Sequence, residues 1–335
     1  MTRFLSRTGH ILGVAIVLFT LSMILPVSAQ QPSRVDPSAS AVQEQQLLKE
    51  LKQVQGRVTI PDVKEGVLIQ PAGRDWRHFD QVTLYWIGLI ALIGMVVLLA
   101  IFYFVRGTIR IMRGRSGRTI LRFDALERTV HWMTAASFII LAVSGLNITF
   151  GKSLLLPLIG ASAFSALSEA LKYAHNYLSF PFTLGVLFML VMWLKDNIPD
   201  STDVRWLKEG GGMVGDKHPP ARRFNAGQKG VFWIVVLGGI AMAITGYLLM
   251  FPFYGGTDIA SMQWSQILHG VIGVLFIAAI LAHIYIGTLG MEGAFEAMGS
   301  GEVDVNWAKE HHSLWVEELE NKPASSARPR MTPAE

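Results

Sequence analysis

Residues 266–288 read QILHGVIGVLFIAAILAHIYIGT. The stretch is almost wholly apolar and long enough, as a helix, to cross a hydrocarbon core of about 30 Å. It also holds two histidines, His269 and His283. A buried polar group without a partner costs roughly 2–7 kcal/mol, and ionisable side chains inside membrane spans mark function by default. Their spacing is informative. Fourteen residues at about 100° each return to within about 40° of the same helix face. At 1.5 Å per residue the two rings stand about 21 Å apart along the axis. One face therefore presents imidazoles at two depths. Either each ring hydrogen-bonds a neighbouring helix, or both serve a cofactor.

Composition agrees with a membrane setting. The 335 residues are 51% hydrophobic and 16% charged, below the roughly 25% charged of a soluble domain. The net charge of +4 does not point to nucleic acid, because the basic residues gather in loops between apolar runs, where they orient membrane proteins. The chain has no cysteine. That excludes disulfides, thiolate-bound iron–sulfur clusters and covalent haem attachment through Cys-x-x-Cys-His. Any metal cofactor must rest on His, Met or carboxylate. No internal repeat and no phosphate-binding glycine loop is visible.

Residues 1–29 read as a signal peptide: Arg3 and Arg7 before an apolar run from Ile11 to Leu25, then small residues at Val27-Ser28-Ala29. The alternative is an uncleaved anchor. Residues 30–80 are polar and expected to be exported, with a short amphipathic helix in SAVQEQQLLKELKQVQG and turns at Pro61, Gly66, Pro71 and Gly73. Five apolar spans follow, at Val82–Val105, His131–Phe150, Tyr173–Leu194, Gly230–Phe251 and Ile267–Gly290. The first, within 81–106, is an extra helix. Residues 107–130 form a basic linker, 131–290 a four-helix unit and 291–335 a tail. The linker and the segment from Lys195 to Lys229 are strongly basic, whereas the loops at 151–172 and 252–266 are not. Loop charge then places the linker and the C-terminus in the cytoplasm, and the N-terminal segment outside. The expected fold is an all-α integral membrane protein.

Of the nine histidines, His10, His78, His218, His311 and His312 lie outside the spans and are read as ordinary polar side chains. The other four pair by depth. His175 and His269 lie towards the outer side, His131 and His283 towards the inner. Two pairs at two depths, from three helices, form the pattern of two stacked haems, each held by two histidines. With both axial positions filled, such an iron suits electron transfer rather than oxygen binding. Zinc would want four ligands at one point. Gly145 and Gly246 either admit a bulky ring beside a helix backbone or serve close helix packing. A proton relay or transporter would want acidic partners, and none of the five spans as drawn holds a buried Asp or Glu.

RRFNAGQKGVFW, residues 222–233, brings polar residues to the start of the fourth span. Asn225 suits a helix N-cap. The same run also suits a lipid-soluble quinone at the membrane edge, with amides at Asn225 and Gln228 and backbone access at Gly227.

From Arg122 to Glu317 the chain resembles the gamma, cytochrome b subunit of membrane-bound respiratory formate dehydrogenase. The matching words are RFDALERTVHW, LSFPFTLGVLFMLVMWLKDNIPD, RRFNAGQKGVFW, ILHG, LAHIYIG and WAKEHHSLWVEEL. The histidine pattern alone is shared with the cytochromes b of nickel–iron hydrogenases, which remain the alternative. The resemblance implies two haems b, one on His175 and His269, the other on His131 and His283. It implies a quinone site at Asn225, Gly227, Gln228 and His283. It also implies an alpha subunit that oxidises formate at a molybdenum or tungsten pterin, and an iron–sulfur beta subunit that feeds the outer haem. Quinone reduced at the inner side takes protons from the cytoplasm, so inward electron flow builds a proton-motive force. The N-terminal signal, exported segment and first span depart from the shorter members.

Overall fold

The computed structural model describes residues 71–213, 218–252, 258–321 and 332–333. The signal peptide, the amphipathic helix and the turns at Pro61 and Gly66 fall outside the described residues. The chain divides into two units, Met1–Asp75 and Trp76–Glu335. The second holds the helix bundle, whose first helix begins at the end of the first unit.

Among the described residues, five helices are long and apolar enough to cross a membrane: Asp75–Arg106, Ala125–Leu154, Leu156–Trp193, Ala226–Met250 and Ile259–Gly290. The all-α membrane fold expected from the sequence is therefore present. Helix α1 (Pro71–His78) leads through a widened turn at Phe79–Thr83 into α2 (Leu84–Arg106). Pro71 opens a helix instead of a turn, as its fixed φ and missing N–H allow at a first helical position, and Gly73 lies within that helix.

Helices α3 (Ala125–Leu154) and α4 (Leu156–Trp193) are longer than the apolar runs suggest. At 1.5 Å per residue α3 reaches about 45 Å and the unbroken part of α4 after Gly160 about 50 Å, so their ends stand clear of a core of about 30 Å. α3 starts six residues before His131 because Asp124 and Glu127 form a reciprocal cap: Glu127 N donates to Asp124 Oδ1 at 2.9 Å and Asp124 N donates to Glu127 Oε2 at 3.0 Å. The expected loop at 151–172 is helical apart from the joint at Leu155 and a glycine break at Gly160, φ 77°. Its run ASAFSALSEALKYA is rich in good helix formers, which the hydropathy pattern alone under-reads. His131 and His175 thus lie inside helices rather than at their starts.

Helices α5 (Ser201–Lys208), α6 (Ala226–Met250), α7 (Ile259–Tyr285), α8 (Glu296–Gly299), α9 (Val305–His311) and α10 (Ser313–Glu320) complete the set. α3 packs along α4, α4 along α6, α6 along α7, and α2 on the outside of α7. Two neighbouring residues of α4 fix its two crossings. A Cβ on Gly185 would run into Thr134 Oγ1 of α3 and lie 3.0 Å from Thr134 Cβ, while Val186 fills the notch at Gly239 of α6. Small residues let the backbones approach this closely. α2 keys into α7 similarly, with Leu84 against Gly270 and Gly88 against Val274.

The linker, the segment 195–229 and the tail gather at one end, here termed the head. Strand β1 (Arg118–Leu121) of the linker pairs antiparallel with β2 (Glu302–Asp304) of the tail, and with β3 (Thr332–Pro333) on its other edge. The linker and tail are thus one folded layer, closed over the core around Phe123, Trp193, Phe224, Trp307 and Trp315.

A bulkier residue at Gly185 should be destabilising. Gly185→Val is expected to lose about 1–3 kcal/mol by overpacking. Gly94→Ala, which meets nothing within 4 Å, should be neutral or stabilising. Thermal unfolding of the detergent-solubilised protein checks both.

Candidate functional site: two facing histidine pairs

The four span histidines meet in two pairs. On α3 and α7, His131 and His283 face each other with ring centroids 6.3 Å apart. On α4 and α7, His175 and His269 do the same at 6.1 Å. The first pair lies next to the head and the second is distal to it. Since His269 and His283 share α7, about 21 Å of helix separates the two levels. Between them lies an apolar layer, Phe138, Phe182 and Phe276, whose centroids are 4.9–6.3 Å apart. Phe276 stands midway on α7, seven residues from each histidine.

The spacing within each pair suits a shared metal. A nitrogen sits about 2 Å from such an ion, and each ring centre lies about 1 Å behind its nitrogen. Two imidazoles on opposite sides of one ion therefore place their centroids about 6 Å apart. A donor set of two neutral imidazoles is that of a haem iron. Among the described residues no group of three or more His, Cys, Asp or Glu converges as a metal site, so the zinc alternative has no ligand set there.

The two glycines marked in the sequence both lie at the distal pair. A Cβ on Gly145 would come 3.7 Å from His175 Cε1, and one on Gly246 would come 3.2 Å from His269 Cε1. At Gly246 the space serves the imidazole itself, whereas at Gly145 the distance is an ordinary van der Waals contact. Beside each glycine is a hydroxyl that hydropathy and histidine spacing do not single out. Ser144 Oγ lies 2.7 Å from His175 Nδ1, and Thr245 Oγ1 lies 2.9 Å from His269 Nδ1. The available signal is the matching hydroxyl–glycine step, SG in the second span and TG in the fourth. At the head pair, His131 Nδ1 is buried without a partner.

The amides of the polar run form a helix cap. Gln228 N donates to Asn225 Oδ1 at 2.9 Å, and Asn225 N donates to Gln228 Oε1 at 3.1 Å. Gly227 is exposed, and a Cβ there would approach Trp206 at 3.2 Å. Lys229 is buried, donating to Asp203 at 2.8 Å and to the Ile198 carbonyl at 3.1 Å. Trp233 Nε1 donates to the Asn197 carbonyl at 2.9 Å. FNAGQK and DNIPD are thus two sides of one contact. Arg223 ties them to α3, reaching Glu127 at 2.6 Å and Asp196 at 3.0 Å, while Trp193 donates to Glu127 at 2.7 Å. Glu127 is a nearly buried acid near the start of a spanning helix, just outside the span drawn from hydropathy.

The sequence reads His311 and His312 as ordinary polar side chains of the tail, and the structure places them within the head. Both are buried. His312 Nδ1 donates to the Arg222 carbonyl at 2.7 Å. Beside them Arg122 is 3% exposed, with its guanidinium 5.2 Å from the rings of Trp307 and Trp315. It donates to the Arg223 carbonyl at 2.6 Å. Burial, then the neighbouring Arg223, lowers its pKa to about 9. Burial first, then His218 and Arg122, pushes His311 down to about 4, and burial and Arg122 push His312 well below its ordinary range.

A helical-bundle membrane protein with imidazoles facing in pairs at two levels belongs to the class of membrane cytochromes. Residues 122–301 match the family model described as prokaryotic cytochrome b561, and the chain belongs to that family. Membership implies haem b. The chain is 27% identical over 211 residues to the cytochrome b556(Fdn) subunit of the nitrate-inducible formate dehydrogenase of Escherichia coli (strain K12), covering 62% of this chain and 94% of the relative. It is 29% identical over 204 residues to the formate dehydrogenase cytochrome b556(fdo) subunit of the same strain, covering 60% and 93%. A formate dehydrogenase cytochrome b556 subunit of Haemophilus influenzae is 25% identical over 207 residues, covering 59% and 83%.

The buried tail histidines predict a pH dependence. Both are neutral when folded and free to protonate when released. As pH falls from 6.5 towards 4, the unfolded tail binds more protons than the folded one. Docking is therefore complete above about pH 6.5 and weakens below it, by up to about 1.4 kcal/mol per pH unit for each histidine. Limited proteolysis of the tail should accelerate between pH 7.5 and 5, and His311→Gln should flatten the response.

Proposed function

We propose that the chain is the cytochrome b subunit of a formate dehydrogenase complex, taking electrons from an iron–sulfur subunit and delivering them across the membrane to quinone. The observation that carries this reading is the two pairs of facing imidazoles, held at two levels of one bundle. The names of the relatives support the choice of complex.

In this reading there are two haems b, the distal one held by His175 and His269 and the head one by His131 and His283. Haem b, when bound, would supply a one-electron carrier, and His131, His175, His269 and His283 are the residues that would hold it. The helices bring each ring to its level, and the Phe138–Phe182–Phe276 layer divides the two levels. Formate is oxidised on a separate alpha subunit carrying a molybdenum or tungsten pterin, and a beta iron–sulfur subunit hands on the electrons. The protein sits in the bacterial inner membrane. Its head and C-terminus face the cytoplasm, as the basic residues of the linker and of 195–229 favour. Residues 1–29 are a signal peptide and 30–80 an exported segment.

The quinone is proposed to bind at Asn225, Gly227, Gln228 and His283, on the head side. Asn225 and Gln228 spend one carbonyl oxygen each on the cap, which leaves their NH2 groups to meet a quinone oxygen.

Two measurements test the reading. His175→Ala or His269→Ala should reduce bound haem from two per chain to one while the head spectrum persists, and His131→Ala or His283→Ala should do the converse. Two full equivalents retained in any of these would contradict the assignment. Asn225→Asp keeps the cap but removes an amide donor worth about 0.5–1.5 kcal/mol. Haem reoxidation by quinone should then show a several-fold to tenfold weaker quinone affinity, with thermal stability unchanged. Unaltered reoxidation would leave Asn225 as a cap alone.

A further inference from the structure

We propose that Ser144 and Thr245 are positioning residues that hold both distal imidazoles as Nδ1–H tautomers and give the distal haem the lower midpoint potential of the two. The inference rests on the proposed role of His175 and His269 as axial ligands.

A hydroxyl has one proton to give. Ser144 Oγ lies 2.7 Å from the Ile140 carbonyl oxygen and 3.0 Å from that of Leu141. Carbonyls only accept, so the hydroxyl proton is committed to the backbone of its own helix. What Ser144 turns towards His175 Nδ1, 2.7 Å away, is a lone pair, and Nδ1 must be the donor. Thr245 repeats the arrangement. Its hydroxyl lies 2.8 Å from the Ala241 carbonyl oxygen and 3.3 Å from that of Met242, with His269 Nδ1 at 2.9 Å. Each distal ring therefore keeps its proton on Nδ1 and a lone pair on Nε2. Two helices, α3 and α6, supply the same device to two different partners, and in each the next residue is a glycine beside the ring.

The head pair lacks it. His131 Nδ1 is buried without a partner, and among the described residues neither His131 nor His283 receives a hydroxyl. This difference acts on the metal. An acceptor on the outer N–H of a ligating imidazole raises the basicity of the ligating nitrogen. A more basic ligand favours the ferric over the ferrous state, and such hydrogen bonding is one of the levers on haem potential. The distal pair is then harder to reduce than the head pair, and the downhill direction runs from distal to head.

The test is a redox titration of the purified complex followed by haem absorbance. His175→Ala first assigns the distal midpoint by its disappearance. Persistence of both midpoints in that variant would defeat the ligand reading itself, separately from this inference. With the assignment made, the distal midpoint should be the lower. Ser144→Ala and Thr245→Val should each raise it and leave the head midpoint in place, and Thr245→Ser should return it to the wild-type value. A distal midpoint above the head one, an unchanged distal midpoint in both hydroxyl-free variants, or an equal shift of both haems would overturn the proposal. So would loss of the distal haem from Thr245→Val and Thr245→Ser alike. Loss from Thr245→Val with retention in Thr245→Ser would support it.

Discussion

Four imidazoles carried on membrane-spanning helices need partners, and that constraint orders the rest of this structure. Facing across about 6 Å, the rings of each pair are too far apart to bond one another and well spaced to share an ion. Their levels fix how α3 and α4 register on α7. At the distal level the ring of His269 comes close enough to need Gly246, and the outer nitrogens find Ser144 and Thr245. Helices that must come this close need small residues elsewhere too, and Gly185 and Gly239 supply them on either side of α4.

The head is the second half of the design. The loops joining the spans are short words of sequence that interlock: Lys229 with Asp203, Arg223 with Glu127 and Asp196, His312 with the backbone of Arg222, Arg122 between Trp307 and Trp315. Arg122 and Lys229 are buried, and a buried charge needs partners, since an unpaired one costs several kcal/mol. Change one word and another loses its partner. This gives a physical reason for FNAGQK, DNIPD and WAKEHH to occur together in one chain, and Asn225, Gly227 and Gln228 of the proposed quinone site belong to the first of these words.

Much of this was legible in the sequence. The five spans follow from hydropathy, and the two histidine pairs follow from depth along helices of known rise. What escaped has particular causes. The helical stretch from Leu156 to Lys172 is only moderately apolar, so a span-length window reads it as loop. Helix α3 begins before its apolar run because its start is set by the Asp124–Glu127 cap. Ser144 and Thr245 are single polar atoms in otherwise ordinary spans, and their partners sit 31 and 24 residues away. His311 and His312 lie in a charged segment, and only the tertiary contacts with Arg122 and Arg222 bury them.

The most direct test of the account is the haem content and ligation of the wild-type protein. Purified chain, analysed by pyridine haemochrome and by low-temperature electron paramagnetic resonance of the oxidised form, should hold two haems b. Both should be low-spin, as expected when histidine fills both axial positions. A single haem per chain, or a high-spin signal from an iron with an open position, would contradict it.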